Sequence, residues 1–353
     1  MKRKSLCKLL GGVCLVMVVI ALLMGGCAKP APAPAPAPAP EEEGVTIILA
    51  QHKALPSMSG YSHAEQFRTT VWKNSDGRIE VKHFPGDLLG DWKVQVAQVR
   101  EGAIDMSLCP ASATFDKQLE FSVVPFVVFT WDGAKNAYQA GSPAAELIET
   151  ICERNNTHFF GIDPMGFSIV VSAKEFTPMP GDSSITKLKT RVHAKIAEIT
   201  AQAIGFRTLT MPLSEVHGAL MLGTIDAAFG PTYQEARYFT DVAKYVYQIT
   251  SSFNPPAWIM NLDRWNSLSA EDQNILQTAM DEVLASAWEE AIVGEQEAIK
   301  LLEAEGMEIV AITPEQMHAI VQKCRDEVWP WAEENLIGKE TMDMVKGFAQ
   351  PLP

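Results

Sequence analysis

Residues 187–232 read KLKTRVHAKIAEITAQAIGFRTLTMPLSEVHGALMLGTIDAAFGPT, three short β-forming runs alternating with two helical patterns. The first run, 188–192, carries Arg191 near its end. Ile196, Ile199 and Ala203 then recur on one helical face, and Gly205 follows where a C-terminal cap belongs. A second strand is expected at 206–209. Ser214 is the candidate N-cap of the next helix, with Glu215 in its first turn. That helix stops at Gly223, and a third strand, 224–229, runs into Gly230-Pro231. Strand, helix, strand, helix, strand is half of an open α/β sheet, and such sheets bind ligands beyond the carboxyl ends of their strands. Arg191 and the Phe229-Gly230 turn both fall at such ends.

VREGAIDMSLCP (99–110) parallels LMLGTIDAAFGP (220–231): each has Gly-x-Ile-Asp, four residues, then Pro, after a helical pattern. Two equivalent units suggest two similarly built lobes whose proline turns face a common cleft; chance is the alternative for so short a repeat. Around these units the chain predicts a strand at 46–50 with a loop at 51–53, a helix at 60–72, and a strand at 78–84. A helix capped by Asp91 runs to Glu101, with Gly102 just past its end. Residues 134–154 read as one helix, 159–162 and 168–172 as strands, and 257–262 as a strand returning to the first lobe. Ser269 with Asp272 resembles a capping box opening a helical pattern that lasts to Gly306. At 1.5 Å per residue it would extend about 54 Å, more than one small lobe. Either a helix bridges both lobes, bending at Gly294, or two helices break there. A last helix follows Thr313, interrupted by Trp329-Pro330-Trp331.

KTRV, MPLSEVHGAL and GTIDAAFGP, preceded by SDGRIEVKHFPGDLLGD (75–91) and VREGAIDMS and followed by LDRWNSLSAEDQNIL (262–276), stand in an order that resembles a known family. It is the extracytoplasmic solute-binding subunits of TRAP (tripartite ATP-independent periplasmic) transporters. The likeness covers most of 44–338. It implies an α/β, two-lobed periplasmic-binding-protein-like fold with a long helix bridging the lobes. Lobe I is expected at 44–165 plus 257–298, and lobe II at 166–256 plus 299–353. It implies a small organic anion captured by lobe closure and delivered to membrane permease subunits.

In the resembling family an arginine at the position of Arg191 clamps a carboxylate. A guanidinium can donate two parallel charge-assisted bonds to that planar group, which lysine cannot. The alternative is a strand-edge arginine paired with one of 43 acids. His52 is a candidate contact, because similar proteins place a polar residue in that loop; a solvated surface histidine is the other reading. Many members have an acid and an amide where this chain has Phe229 and Gly230. Sialic- and dicarboxylic-acid binders have a second arginine where it has Ser168. A pocket of Arg191, Phe229, Gly230, Leu213 and Tyr233, with Phe167 and Trp258, offers one charge and an apolar wall. That suits a monocarboxylate with an apolar body. Core packing is the alternative for Trp258.

The chain has 353 residues, 47% hydrophobic and 20% charged, enough for two lobes. Lys2, Arg3, Lys4 and Lys8 precede a short apolar run at 9–24, which reads as a signal peptide over 1–26 and not as a membrane span. Met24-Gly25-Gly26-Cys27 resembles a bacterial lipoprotein cleavage site. Cys27 would then be the lipidated first residue, anchoring an extracytoplasmic protein to the cell membrane; a plain secreted protein is the alternative. Residues 27–43 continue as a Pro-Ala tether, semi-rigid and roughly 30 Å long. Without 1–26 the chain keeps 25 basic against 43 acidic residues, a net charge of −18. That argues against nucleic acid and anionic lipid as partners. Cys109, Cys152 and Cys324 are spaced for neither a disulfide framework nor a metal site; buried thiols, or one unidentified pair, remain. No Gly-x-Ser-x-Gly, His-Glu-x-x-His or phosphate loop is present and no cofactor is expected. A binding protein is therefore preferred. A ligand-presenting sensor is the alternative, and an extracellular hydrolase the more distant one.

Overall fold

The structure is a computed structural model that describes residues 44–52, 59–110 and 116–353. The signal peptide, Cys27 and the tether lie outside the described residues. The chain starts with β1 (Val45–Gln51), α1 (Ser59–Asn74), β2 (Ile79–Phe84), α2 (Trp92–Glu101) and β3 (Met106–Pro110). β1 pairs in parallel with both β2 and β3. As the sequence requires, Asp91 caps α2, accepting from the N–H groups of Lys93 and Val94, and Gly102 closes it in the left-handed conformation. The single helix expected over 134–154 is two, α3 (Trp131–Tyr138) and α4 (Pro143–Arg154). Gly141 turns left-handed between them and Pro143 opens the second, since proline suits a first turn and not an interior. β4 (Thr157–Ile162) completes this part.

The second part holds β5 (Phe167–Ser172), β6 (Lys189–Val192), α5 (Lys195–Ile204), β7 (Arg207–Thr210), α6 (Val216–Met221), β8 (Ala227–Phe229), α7 (Tyr233–Ala236) and β9 (Tyr245–Phe253). Ser214 caps nothing: it sits inside a 3₁₀ turn, Leu213–Glu215, that Pro212 introduces. The third strand begins at Ala227, later than its apolar run suggested, because 222–226 is spent on a turn that bonds back to the end of α6. β10 (Pro256–Asn261) and α8 (Leu262–Ser267) return to the first part. α9 (Ala270–Ala304), β11 (Glu308–Val310), α10 (Pro314–Ala332) and α11 (Gly338–Phe348) follow. α10 runs through Pro330 and is succeeded by a π turn, Glu333–Ile337.

Two sheets result, ordered β2-β1-β3-β10-β4 and β11-β9-β5-β8-β6-β7. Apart from β11 they match strand for strand: two parallel pairings, then two antiparallel ones. The short repeat is the hinge of that match. Gly102 and Gly223 both turn left-handed, at φ +74° and +67°. Asp105 accepts the N–H of Ile48 at 2.6 Å and Asp226 that of Lys189 at 2.9 Å, each tying the repeat to the strand beside it. Chance does not explain such detail.

α9 is one unbroken helix of 35 residues, about 52 Å long. Leu276, Met280 and Val283 pack with Phe67 and Trp258 of the first part, while Ala298 and Leu302 pack with Ile169 and Val171 of the second. It bridges both sheets, and Gly294 does not break it.

Candidate functional site

The strand ends of the two sheets enclose a cavity of about 1080 Å³, lined from the first part by residues such as Gln51, His52, Trp92 and Pro110. The second part contributes Ser168, Arg191, His193, Leu213, Phe229 and Gly230. Arg191 is 4% exposed and its Nε donates to the carbonyl of Met211 at 2.9 Å. That bond, with β7 and β8 on either side, fixes the stem of the side chain. Its Nη atoms make no hydrogen bond to another described residue. Burial presses the guanidinium below its ordinary pKa, and the nearby Glu235 carboxylate works against that. In the repeat, Ala50 holds the place that Arg191 holds in the second part, so only one of the two matched strands brings a cation.

Four acids also line the cavity, and three have partners that occupy their charge. Asp91 caps α2. Glu235 accepts the N–H of Thr232 at 3.0 Å in a reciprocal capping box at the start of α7. Asp163 lies on the segment joining β4 to β5, where it meets His63 Nδ1 at 2.9 Å and accepts from Trp258 Nε1 at 3.2 Å. The other ring nitrogen of His63 meets Glu290 of α9 at 3.0 Å. Burial alone would lower the imidazole's pKa, but the two carboxylates outweigh it and raise it to about 9. A buried cation therefore neutralises Asp163. The fourth acid is Glu120.

Of the residues read from the sequence, Arg191, Phe229, Gly230, His52, Ser168 and Leu213 come together in this cavity. Ser168 accepts from Asn254 Nδ2 at 3.2 Å, and His52 Nδ1 meets Asp87 at 2.8 Å. Three others do not line it. Trp258 is fully buried because β10 is a central strand covered on both faces, and it packs on Phe67. Tyr233 is 2% exposed and packs with Ile169 and Ala236 in a separate apolar cluster. Phe167 likewise meets Trp131 edge-on and packs tilted against Phe253 in the core. The sequence reading missed Trp92, Asp163, His193, Glu235 and Asn254. Thr-x-x-Glu at 232–235 was a legible capping signal for one of them; Asp163 and His63 are brought together only by the tertiary fold.

Among the described residues no group of acidic, histidine and cysteine side chains is arranged to hold a metal ion, and no helix is long and apolar enough to cross a membrane. Cys109, Cys152 and Cys324 are buried and unpaired. Burial pushes the Cys109 and Cys152 thiols up to about 12.

Residues 51–334 match the family of bacterial extracellular solute-binding proteins, family 7 (DctP). The chain belongs to that family. Family 7 proteins are binding proteins and not enzymes, so the hydrolase reading falls. Two relatives set the family 7 context. The C4-dicarboxylate-binding periplasmic protein DctP of Rhodobacter capsulatus is 25% identical over 310 residues, 85% of this chain and 90% of its own. The ectoine-binding periplasmic protein TeaA of Halomonas elongata is 24% identical over 302 residues, 80% and 84% of the two chains. A TRAP periplasmic solute-binding protein of Haemophilus influenzae, solved with bound L-gulonate, superimposes with a TM-score of 0.74 at 23% identity, covering 86% of this chain and 98% of its own. The two-lobed fold of TRAP solute-binding proteins is thus shared by this family 7 member.

Proposed function

We propose that this family 7 protein captures a small organic acid between its lobes, with Arg191 on the carboxylate, and hands it to TRAP-type permease subunits. The observation that carries this is the buried guanidinium: its stem is held by Met211, and its terminal nitrogens are left to the cavity. A buried charge whose outer edge has no hydrogen bond to another described residue is costly, and a planar carboxylate supplies such bonds bidentately. Three of the four cavity acids are engaged in caps or an ion pair, which leaves the bonding of the guanidinium's edge to a ligand. With Ala50 in the matching place and Phe229 and Leu213 in the wall, the site suits a monocarboxylate with an apolar body. Its relatives bind a C4-dicarboxylate, ectoine and L-gulonate by their names or bound ligand, which supports the organic-acid class.

Lobe I comprises 44–165 and 257–298, and lobe II comprises 166–256 and 299–353, the last stretch also touching 117–154. The ligand's higher affinity for the closed arrangement drives closure. Cys27 carries lipid that anchors the protein on the extracytoplasmic face.

The test is a thermal-shift titration of the purified protein with mandelate, phenylacetate, hexanoate, L-gulonate and succinate, with small-angle scattering on the same samples. An acid at one hundred times its dissociation constant adds about 2.7 kcal/mol of stability. Arg191→Ala should weaken the best acid by about thirtyfold or more, the worth of a lost charge-assisted bond, and abolish ligand-driven compaction. A shift that survives the substitution removes Arg191 from the centre of the site. Succinate preferred over every monoacid refutes the monocarboxylate assignment.

A further inference from the structure

The repeat pairs two histidines, one from each part of the molecule. β1 runs beside β3 with Leu49 opposite Met106 and Gln51 opposite Leu108. β6 runs beside β8 with Thr190 opposite Ala227 and Arg191 opposite Ala228. Met106 and Ala227 stand at the same place in the repeat, so Leu49 answers to Thr190, and three residues later His52 answers to His193. Both line the cleft, from opposite sheets.

His193 has a seat made for it. Carrying the β6–β8 register two residues past Arg191 sets His193 beside Gly230. A Cβ on Gly230 would lie 2.9 Å from Nδ1 of the imidazole and 3.1 Å from its Cε1. No side chain fits there while the ring stays, and at φ +109° few would adopt the backbone. In the first part the place of Gly230 is taken by Cys109, whose buried side chain forms the wall. There Asp87 holds the imidazole of His52 instead.

We propose that His193 is a ligand-contacting residue, the counterpart of His52. It bonds an oxygen of the acid other than the carboxylate on Arg191, and Gly230 is glycine to admit it. The proposal rests on the acid reading above. An imidazole both donates and accepts, so it serves a hydroxyl or a carbonyl alike. Two residues of extended chain set the Arg191 and His193 backbones roughly 7 Å apart, so the two side chains approach the ligand from separate points.

Calorimetric titration of wild type, His193→Ala, His193→Gln, Gly230→Ala and the double variant His193→Ala/Gly230→Ala tests this, with the hydroxylated acids mandelate and L-gulonate and with phenylacetate and hexanoate, which lack a further oxygen. His193→Ala is expected to weaken whichever hydroxylated acid binds by about fivefold, the worth of one neutral hydrogen bond. Phenylacetate and hexanoate should stay within about twofold, and His193→Gln should recover part of the loss. Gly230→Ala should also weaken the hydroxylated acids, and its effect should be smaller when His193 is already alanine, since only the backbone strain then remains. Hydroxylated acids bound equally by His193→Ala and wild type overturn the proposal. Equal losses for all four acids do so too, since they mark a structural role. A wild type that binds only the two acids without a further oxygen also overturns it, while leaving Arg191 in place. A wild type that binds no acid overturns the acid reading and this proposal with it.

Discussion

His63 shows how a single side chain ties the site to stability. It lies between Asp163 and Glu290, and its folded pKa of about 9 stands above the ordinary 6.5. A raised pKa means the folded state holds the proton more tightly. The stabilisation is therefore complete below pH 6.5 and is lost as pH climbs through about 9. The span corresponds to about 3 kcal/mol. Urea denaturation should show wild type losing stability across that window while His63→Gln, less stable throughout, loses little. An equally steep decline in the variant would mean other groups cause it. At this scale the sequence was legible where chemistry is local: Arg191 stands at a strand end and Asp91 directly before a helix. It was illegible where a residue's fate depends on a distant neighbour. Trp258 alternates correctly for a strand, but β10 is flanked by β3 and β4 and covered on both faces, which no local pattern reveals.

Elements capped by their own sequence were read closely, and those ended by packing were not. α2 has Asp91 before it and Gly102 after it, and its observed ends coincide with those residues. The turn at 141–143 was read through because the apolar spacing on either side continues in phase. α9 carries a glycine in its second half. Gly294 lies inside the helix, and an added Cβ would meet nothing within 4 Å. Glycine costs a helix about 1 kcal/mol against alanine. Gly294→Ala should therefore stabilise the protein by about 0.5–1 kcal/mol in chemical denaturation. A loss of stability would show that the helix needs the freedom of glycine at that point.

The molecule as a whole was the most legible level, because a repeated Gly-x-Ile-Asp unit reports a repeated sheet. Its attachment is the part to be measured. If Cys27 carries lipid, Cys27→Ser should move the protein from the membrane pellet to the soluble extracytoplasmic fraction; an unchanged distribution would exclude the anchor. The two sheets differ in one respect that their matching strand orders conceal. Five of the six strands in the second sheet, β5 to β9, come from one uninterrupted run of chain, 167–253. The first sheet has β10 between β3 and β4, so it lacks an inner strand until residue 261 is available. For a chain delivered N-terminus first, the leading half must wait with β3 and β4 unjoined while five strands of the other sheet pass. Non-local pairing of this kind is slow and leaves strand edges open. The half that leaves the ribosome first is the half whose inner strand arrives last.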